Sequence, residues 1–179
     1  MADILCLQGA AAFSAFRLQR LVDRLQVVLP KMVALRADYW HVVEVKRALS
    51  DAERAQLAAL LEEEPAAVAT GELFLVTPRI GTISPWSSKA TDIAHNCGLA
   101  DAVERIERVI AFRLELPAGK TLTDAERQQV AALLHDRMTE SVLNDFSQAG
   151  ELFRHFSPKP LATVDVLQGG KTALVEGLA

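Results

Sequence analysis

An internal repeat constrains this chain more than any other feature of its sequence. Residues 50–61, SDAERAQLAALL, return as residues 123–134, TDAERQQVAALL, an offset of 73 residues from position 50 to position 123. Both copies open with a hydroxyl residue and place Glu three positions later, the capping-box pattern that satisfies backbone N–H groups at a helix start. Apolar residues then follow at helical spacing. The repeat therefore predicts two equivalent helices within a duplicated fold.

The segments around these two helices repeat as well. Residues 32–45 and 103–116 are rich in β-branched and aromatic residues with partial alternation, which predicts a strand ahead of each repeated helix. Each half also has a predicted helix before its long strand and a short strand at its end, and these segments are 11–27, 72–77, 87–97 and 139–143. Each half is thus predicted to contain a helix, a strand, a second helix and a second strand, in that order.

The duplication predicts the architecture. One half could bury only one face of a small sheet, whereas two halves back to back could bury both, as a pseudo-twofold dimer within one chain. We predict an α+β fold: an internally duplicated, two-layer domain with a largely antiparallel sheet. Its predicted limits are residues 1–144, with halves of about 1–77 and 78–144. Residues 145–179 are predicted to hold a short amphipathic helix near 146–156 and a truncated start of a linker.

Composition excludes several classes of protein. The formal net charge is −4, with basic and acidic residues interspersed, whereas a nucleic-acid binder usually shows a basic stripe. Two cysteines, Cys6 and Cys97, do not make a disulfide framework, and we expect buried or half-buried thiols in a reducing cytosol. No cationic leader opens the sequence, and no apolar run approaches the roughly 20 residues that cross a bilayer. We predict a cytoplasmic protein without nucleic-acid or membrane partners.

A possible phosphate loop occurs near the end of the chain. Gly169-Gly170-Lys171-Thr172 follows a strand-like run and precedes a helix start. The phosphate-loop motif also needs a glycine five positions before Gly170, where its backbone can wrap phosphates. That position is Asp165, whose carboxylate would repel phosphate. We therefore predict an ordinary glycine turn before a helix.

The densest polar cluster lies at residues 82–98, TISPWSSKATDIAHNCG. Ser87 or Ser88 could cap a helix that Gly98 ends. One face of this helix is apolar and predicted to be buried: Trp86, Ala90, Ile93, Ala94 and Cys97. The other face is polar, and a helix N-terminus beside serines could also hold an anion. We name as the candidate polar face Ser84, Ser88, Asp92 and His95.

The same cluster offers no complete catalytic or metal site. His95 and Cys97 are two residues apart, so on a helix they point in different directions and could not share a proton. Asp92 and His95 could hydrogen-bond, but an orienting carboxylate without a nucleophile is not a triad. A metal would need a distant third ligand, and the other histidines lack ligand spacing: His41, His135 and His155. The prediction is no catalytic, cofactor-binding or metal-binding residue in this chain.

Residues 77–98, TPRIGTISPWSSKATDIAHNCG, closely resemble a known sequence. The match is to the N-terminal domain of the large single-chain phosphoribosylformylglycinamidine synthase family, also called formylglycinamide ribonucleotide amidotransferase. Residues 14–17 resemble the opening helix of that domain, and residues 134–140, LHDRMTE, a later signature. The resemblance covers essentially the whole chain, with a looser opening at residues 9–13, and the tail from about Asp145 resembles the start of the family's linker.

The resemblance implies a role in de novo purine biosynthesis. In the family, a C-terminal domain hydrolyses glutamine, and a central synthetase domain uses ATP and magnesium to transfer the ammonia to formylglycinamide ribonucleotide. Those catalytic residues have no counterpart in this sequence, so the resemblance implies that the chain is inactive alone and binds no cofactor of its own. It also implies a fold like a dimer of the small third subunit of split versions. Its implied task is to join the glutaminase and synthetase domains of the same polypeptide and to support ammonia transfer.

Two functional questions remain open at this stage. The candidate polar face is hypothesised to meet the synthetase domain or to lie on the substrate side, because so many polar residues are specified in one short segment. The alternatives to a scaffold are a free-standing regulatory α+β domain that binds a small molecule, and a complete small enzyme that uses the phosphate loop. Ligand-dependent thermal stabilisation would favour the regulatory domain, while Asp165 argues against the enzyme.

Overall fold

A computed structural model describes residues 3–65, 70–154 and 163–177. Its strands are β1 (Asp3–Ala11), β2 (Ala34–Val45), β3 (Glu72–Pro78), β4 (Val103–Glu115) and β5 (Glu140–Leu143). Its α-helices are α1 (Ala15–Val28), α2 (Asp51–Leu60), α3 (Pro85–Ala94), α4 (Asp124–Leu134) and α5 (Val166–Gly177). A π-helical turn (His95–Leu99) follows α3, and a 3-10 helix (Phe146–Phe153) follows β5.

The strands form one antiparallel sheet in the order β1-β2-β4-β3-β5. The two long strands, β2 and β4, pair at its centre, from Ala34 opposite Glu115 to Val45 opposite Val103. β1 flanks β2 and β3 flanks β4, so two strand–helix–strand–helix units lie side by side, with β5 added beyond β3. The predicted two-layer α+β fold with an antiparallel sheet is confirmed.

The α-helices α1 to α4 cover one face of the sheet. Along β2, Leu35 and Ala37 pack in a core with residues of α1 and α4, while Val43 and Val45 pack in a second core with α2 and α3. These β2 positions are all odd-numbered, and alternate residues of a strand share a face. The opposite face, which includes Val42, is covered by the buried residues of the 3-10 helix: Ala149, Leu152 and Phe153.

Both predicted capping boxes are confirmed. At α2, the Ser50 hydroxyl accepts from the Glu53 amide at 3.3 Å and the Glu53 carboxylate accepts from the Ser50 amide at 2.8 Å. At α4, Thr123 and Glu126 reproduce these bonds at 3.3 and 2.8 Å. The side-chain hydrogen bond from Arg47, with the Ser50 bonds, lowers the pKa of Glu53 to about 2. The repeat in sequence is therefore a repeat in local structure.

The first strand was not predicted. Over residues 3–11 the apolar pattern is diluted by Gln8, Gly9 and two alanines, Ala10 and Ala11, and only the middle of β1 is buried. Because β1 continues through Ala11, α1 begins at Ala15, under its cap Ser14, and not near residue 11 as predicted. The limits predicted for the domain and its halves stay predictions.

The tail differs in detail from its prediction. The amphipathic helix expected near 146–156 is a 3-10 helix that ends at Phe153, and its predicted end lies outside the described residues. The expected glycine turn before a helix lies inside α5, where Gly170 has φ 57° and ψ −143°. Within the described residues, no helix has the length and apolar character needed to cross a membrane.

The caps give a matched test of the duplication. We expect Ser50→Ala and Thr123→Ala each to lower the free energy of unfolding by about 0.5–2 kcal/mol, because each removes an equivalent helix cap. Urea unfolding followed by circular dichroism measures both. Gln128→Ala, an exposed residue within α4, is the control and should stay within about 0.5 kcal/mol. A loss at one cap and none at the other would contradict equivalent helices.

Candidate functional site

A cleft of about 570 Å³ opens where β3 ends beside the two central strands. Its walls come from the end of β3 and the loop after it (76–79 and 82–86), from β4 (107–110), from residues 138–140 and from Tyr39 of β2. Much of the wall therefore belongs to residues 77–98, the segment that carries the family resemblance. Concave sites with a few polar groups are the usual places for binding.

α3 is attached to an open edge of β4. β3 pairs with β4 over Ile110–Leu114, so among the described strands the first half of β4 has only β2 as a neighbour. On its other side, Ser87 Oγ donates to the Ile106 carbonyl at 2.6 Å, and the Ile106 amide donates to Thr91 Oγ1 at 3.0 Å. His95 Nε2 lies 2.8 Å from the Val103 carbonyl. Three side chains spaced four residues apart thus replace a neighbouring strand.

The structure divides the candidate polar face into two pairs. Ser84 and His95 are half-buried and bond inward: Ser84 is the N-cap of α3, and His95 contacts the β4 backbone. Ser88 and Asp92 are exposed on the outer side of α3. Whether these residues contact another domain stays a prediction. Sequence reasoning missed the inward roles of Ser87 and Thr91, although their spacing of four residues, continued by His95, was a visible signal.

Several expectations for α3 were wrong. The cap is Ser84, whose Oγ accepts from the Ser87 amide at 3.0 Å, and neither Ser87 nor Ser88 fills that role. Ser87 is instead fully buried against β4. Ile93, expected to be buried, is 56% exposed because α3 turns Ser87 and Ala94 toward the sheet. Cys97 is exposed on the π-helical turn.

The two thiols lie in different environments. Cys6 is half-buried, as expected, and burial raises the pKa of its thiol. His95 and Cys97 share the π-helical turn, but His95 Nε2 bonds to the backbone of β4 and Cys97 is exposed, so they do not form a pair of nucleophile and base. Among the described residues, no three His, Cys, Asp or Glu side chains are placed to hold a metal ion. His155 lies outside those residues.

Glu107 is a buried carboxylate at the floor of the cleft, 1% exposed. It accepts hydrogen bonds from Ser84 Oγ at 2.7 Å, from the Ser84 amide at 3.4 Å and from the Arg108 amide at 3.0 Å. A buried charge is tolerated when donors surround it in this way. Glu107 therefore fixes the loop before α3 onto β4.

Four side chains meet beside this floor. The guanidinium carbon of Arg108 lies 4.3 Å from the Tyr39 ring centroid and 4.8 Å from that of Trp86. The His41 ring is stacked on Trp86 with centroids 5.4 Å apart. His41 Nδ1 is buried without a hydrogen-bond partner among the described residues. Burial, and then the charge of Arg108, lowers the pKa of His41 to about 4, so the imidazole is neutral at pH 7.

The attachment of α3 can be tested by a neighbouring pair of serines. Ser87→Ala removes the donor to a buried carbonyl and should lower the free energy of unfolding by about 1–3 kcal/mol. Ser88→Ala, on the exposed side of the same helix, should stay within about 0.5 kcal/mol. Urea unfolding measures both variants. Equal effects of the two substitutions would show that α3 is not held by Ser87.

The lowered pKa of His41 makes stability depend on pH. The unfolded chain takes up a proton on this residue near its ordinary pKa of 6.5, whereas the folded chain resists protonation down to about 4. Stability should therefore fall as the pH is lowered through this window. His41→Phe keeps a ring beside Trp86 and cannot be protonated. Urea titrations give the free energy of unfolding of the variant minus that of the parent chain, and we expect this difference to increase as the pH is lowered from 7 to 4.5. A difference that stays constant would contradict the lowered pKa of His41.

Comparison with known families adds one finding. The profile described as formylglycinamide ribonucleotide amidotransferase N-terminal matches residues 38–153, which is more than half of the chain. The matched stretch runs from β2 to the end of the 3-10 helix, and it contains every residue of the cleft wall and the whole of α3. It confirms the resemblance expected from residues 77–98. This chain belongs to the family of formylglycinamide ribonucleotide amidotransferase N-terminal domains, part of an enzyme of purine biosynthesis.

Proposed function

We propose that this domain is a non-catalytic scaffold of the amidotransferase. It joins the glutaminase and synthetase domains of the same polypeptide and supports the transfer of ammonia between them. One observation carries the proposal: residues 77–98, the segment that carries the family resemblance, attach α3 to the sheet. Ser87, Thr91 and His95 fix α3 to β4, and Ser84 closes the loop onto Glu107. In this proposal, the synthetase domain binds the ATP and magnesium that the reaction uses. The proposed location of the enzyme is the cytoplasm.

The duplicated sheet suits a scaffold. Two strand–helix–strand–helix units share one sheet through the long β2–β4 pairing, which makes a rigid platform with helices on one face. The arrangement supports the expected likeness to a dimer of the small third subunit in split versions of the enzyme. Each of the two repeat units presents a related surface, so one unit could contact the glutaminase domain and the other the synthetase domain.

The outward side of α3 is the proposed contact with the synthetase domain. Ser88 and Asp92 are exposed there, and Ile93 beside them is 56% exposed. An apolar cavity of about 360 Å³ continues this surface between α2 and α3, with Leu60 and Ala90 in its wall. A mixture of apolar and polar groups is typical of contacts between domains. Ser84 and His95 act indirectly in this proposal, because they fix the helix that carries the contact.

The full-length enzyme offers a test of this contact. Ser88→Ala/Asp92→Ala removes exposed groups and should leave the stability of the domain unchanged. We expect glutamine-dependent synthesis to fall about tenfold, the effect of losing roughly 1.4 kcal/mol of interface energy. Synthesis driven by added ammonia should be retained, because it bypasses the coupling. Gln128→Ala/Gln129→Ala, two exposed polar residues of α4, is the matched control.

Two results would contradict the proposal at different levels. Unchanged glutamine-dependent synthesis in Ser88→Ala/Asp92→Ala would show that this side of α3 is not the contact. The broader claim is tested with the enzyme lacking residues 1–179, assayed with glutamine, ATP, magnesium and formylglycinamide ribonucleotide. If that enzyme retains glutamine-dependent synthesis without this chain, the scaffold role is wrong; restoration on adding the chain supports it.

A further inference from the structure

Arg108 differs from two other half-buried arginines of this fold, Arg54 and Arg127. Arg54 forms an ion pair with Glu63, and Arg127 pairs with Glu72 and also bonds to Asn144. Arg108 is half-buried as well, yet its side chain has neither a hydrogen bond nor an ion pair among the described residues. A guanidinium carries five N–H donors, and leaving them without partners while partly removed from water is unfavourable.

Two aromatic rings hold this guanidinium in place. Tyr39 and Trp86 lie on it at 4.3 and 4.8 Å, so the N–H groups must find partners in the remaining directions. Those directions are open, because Arg108 lines two cavities. One is the cleft of about 570 Å³, and the other is a cavity of about 360 Å³ on the side of β1 and α2. The same three residues, Tyr39, Trp86 and Arg108, form the boundary between them.

A second unpartnered group lies in the wall of the smaller cavity. His41 is 7% exposed, lines this cavity and has no partner for its Nδ1 among the described residues. Gly9 leaves the room that this ring needs, since a Cβ there would lie 2.9 Å from His41 Cε1. A neutral imidazole can donate or accept one hydrogen bond at this nitrogen, according to its tautomer. A bound ligand would satisfy Arg108, whereas His41 Nδ1 is fully buried beside Gly9.

The charges nearby leave Arg108 free to bind an anion. The Glu107 carboxylate accepts hydrogen bonds from Ser84 Oγ and from the Arg108 amide, and neither involves the guanidinium of Arg108. The Glu140 carboxylate accepts a hydrogen bond from the Asp136 amide at 2.8 Å. Glu62 lines the smaller cavity but is exposed to water, which screens its charge. Arg79 adds a second positive charge at the wall of the cleft.

We propose that Arg108, held between Tyr39 and Trp86, is the anchor of an oxyanion-binding site that takes the phosphate or carboxylate group of a small molecule. The planar guanidinium suits either group, because both accept two parallel N–H bonds. The His41 ring lines the smaller cavity and stacks on the Trp86 ring. This site is independent of the scaffold role, since it needs neither the glutaminase nor the synthetase domain.

The test uses this chain alone with inorganic phosphate as the first probe and succinate as the second. Each is titrated against sodium chloride at matched ionic strength, while the Arg108 Nε–H signal is followed by NMR and Trp86 by its indole signal. We expect saturable shifts at both residues for at least one probe. Binding of phosphate with no response to succinate assigns a phosphorylated ligand, and the reverse assigns a carboxylate.

Variants separate the site from a general charge effect. Arg108→Gln should weaken binding at least tenfold, and Arg108→Lys severalfold, because lysine keeps the charge but loses the paired donors. Arg24→Gln, an exposed residue of α1, is the control and should bind as the parent chain does. If Arg108→Gln disturbs folding, the binding measured for Arg108→Lys tests the proposal instead. Shifts that do not saturate, that chloride reproduces, or that persist in Arg108→Lys at full strength would overturn the proposal.

Discussion

The antiparallel pairing of β2 with β4 is the interaction on which the rest of this structure depends. It joins the two units of the repeat from Ala34–Glu115 to Val45–Val103, and the two cores that contain residues of α1 to α4 lie on one face of the sheet. It also creates a problem at the first half of β4, where β3 has not yet begun to pair. The backbone groups exposed there need partners. α3 provides them through Ser87, Thr91 and His95, which lie in the segment that carries the family resemblance.

The same pairing assembles the candidate site. His41 and Arg108 are directly opposite each other in the β2–β4 register, and Tyr39 lies two residues along β2 on the same face. Trp86 reaches this group from the first turn of α3, so the aromatic enclosure of Arg108 depends on the attachment of α3 to β4. The proposed interdomain contact and the proposed ligand site thus share one structural support, because a change that loosened α3 would alter both the outward side with Ser88 and Asp92 and the surroundings of Arg108.

Much of the fold followed from the sequence because local and tertiary signals agreed. The two capping boxes set the starts of α2 and α4, and the β-branched runs set β2 and β4. β1 was missed because small residues weaken its alternation, so only its tertiary pairing with β2 reveals it. For the site, the sequence showed that residues 82–98 are polar, but it did not show which of these side chains face the sheet and which face solvent. Ser84 and His95 point inward because β3 pairs with only the second half of β4. The extent of that pairing cannot be predicted from any local sequence pattern.

Amide hydrogen exchange at Ile106 tests this account most directly. A free sheet edge exchanges quickly, whereas an amide held in a buried hydrogen bond opens only with its cooperative unit. Because the Ile106 amide donates to Thr91 Oγ1 at 3.0 Å, we expect it to be protected as strongly as amides bonded within the β2–β4 pairing. Protection at that level would show that α3 completes the edge of β4. Exchange at the rate of an exposed edge would contradict the central claim, that this helix is a structural part of the sheet.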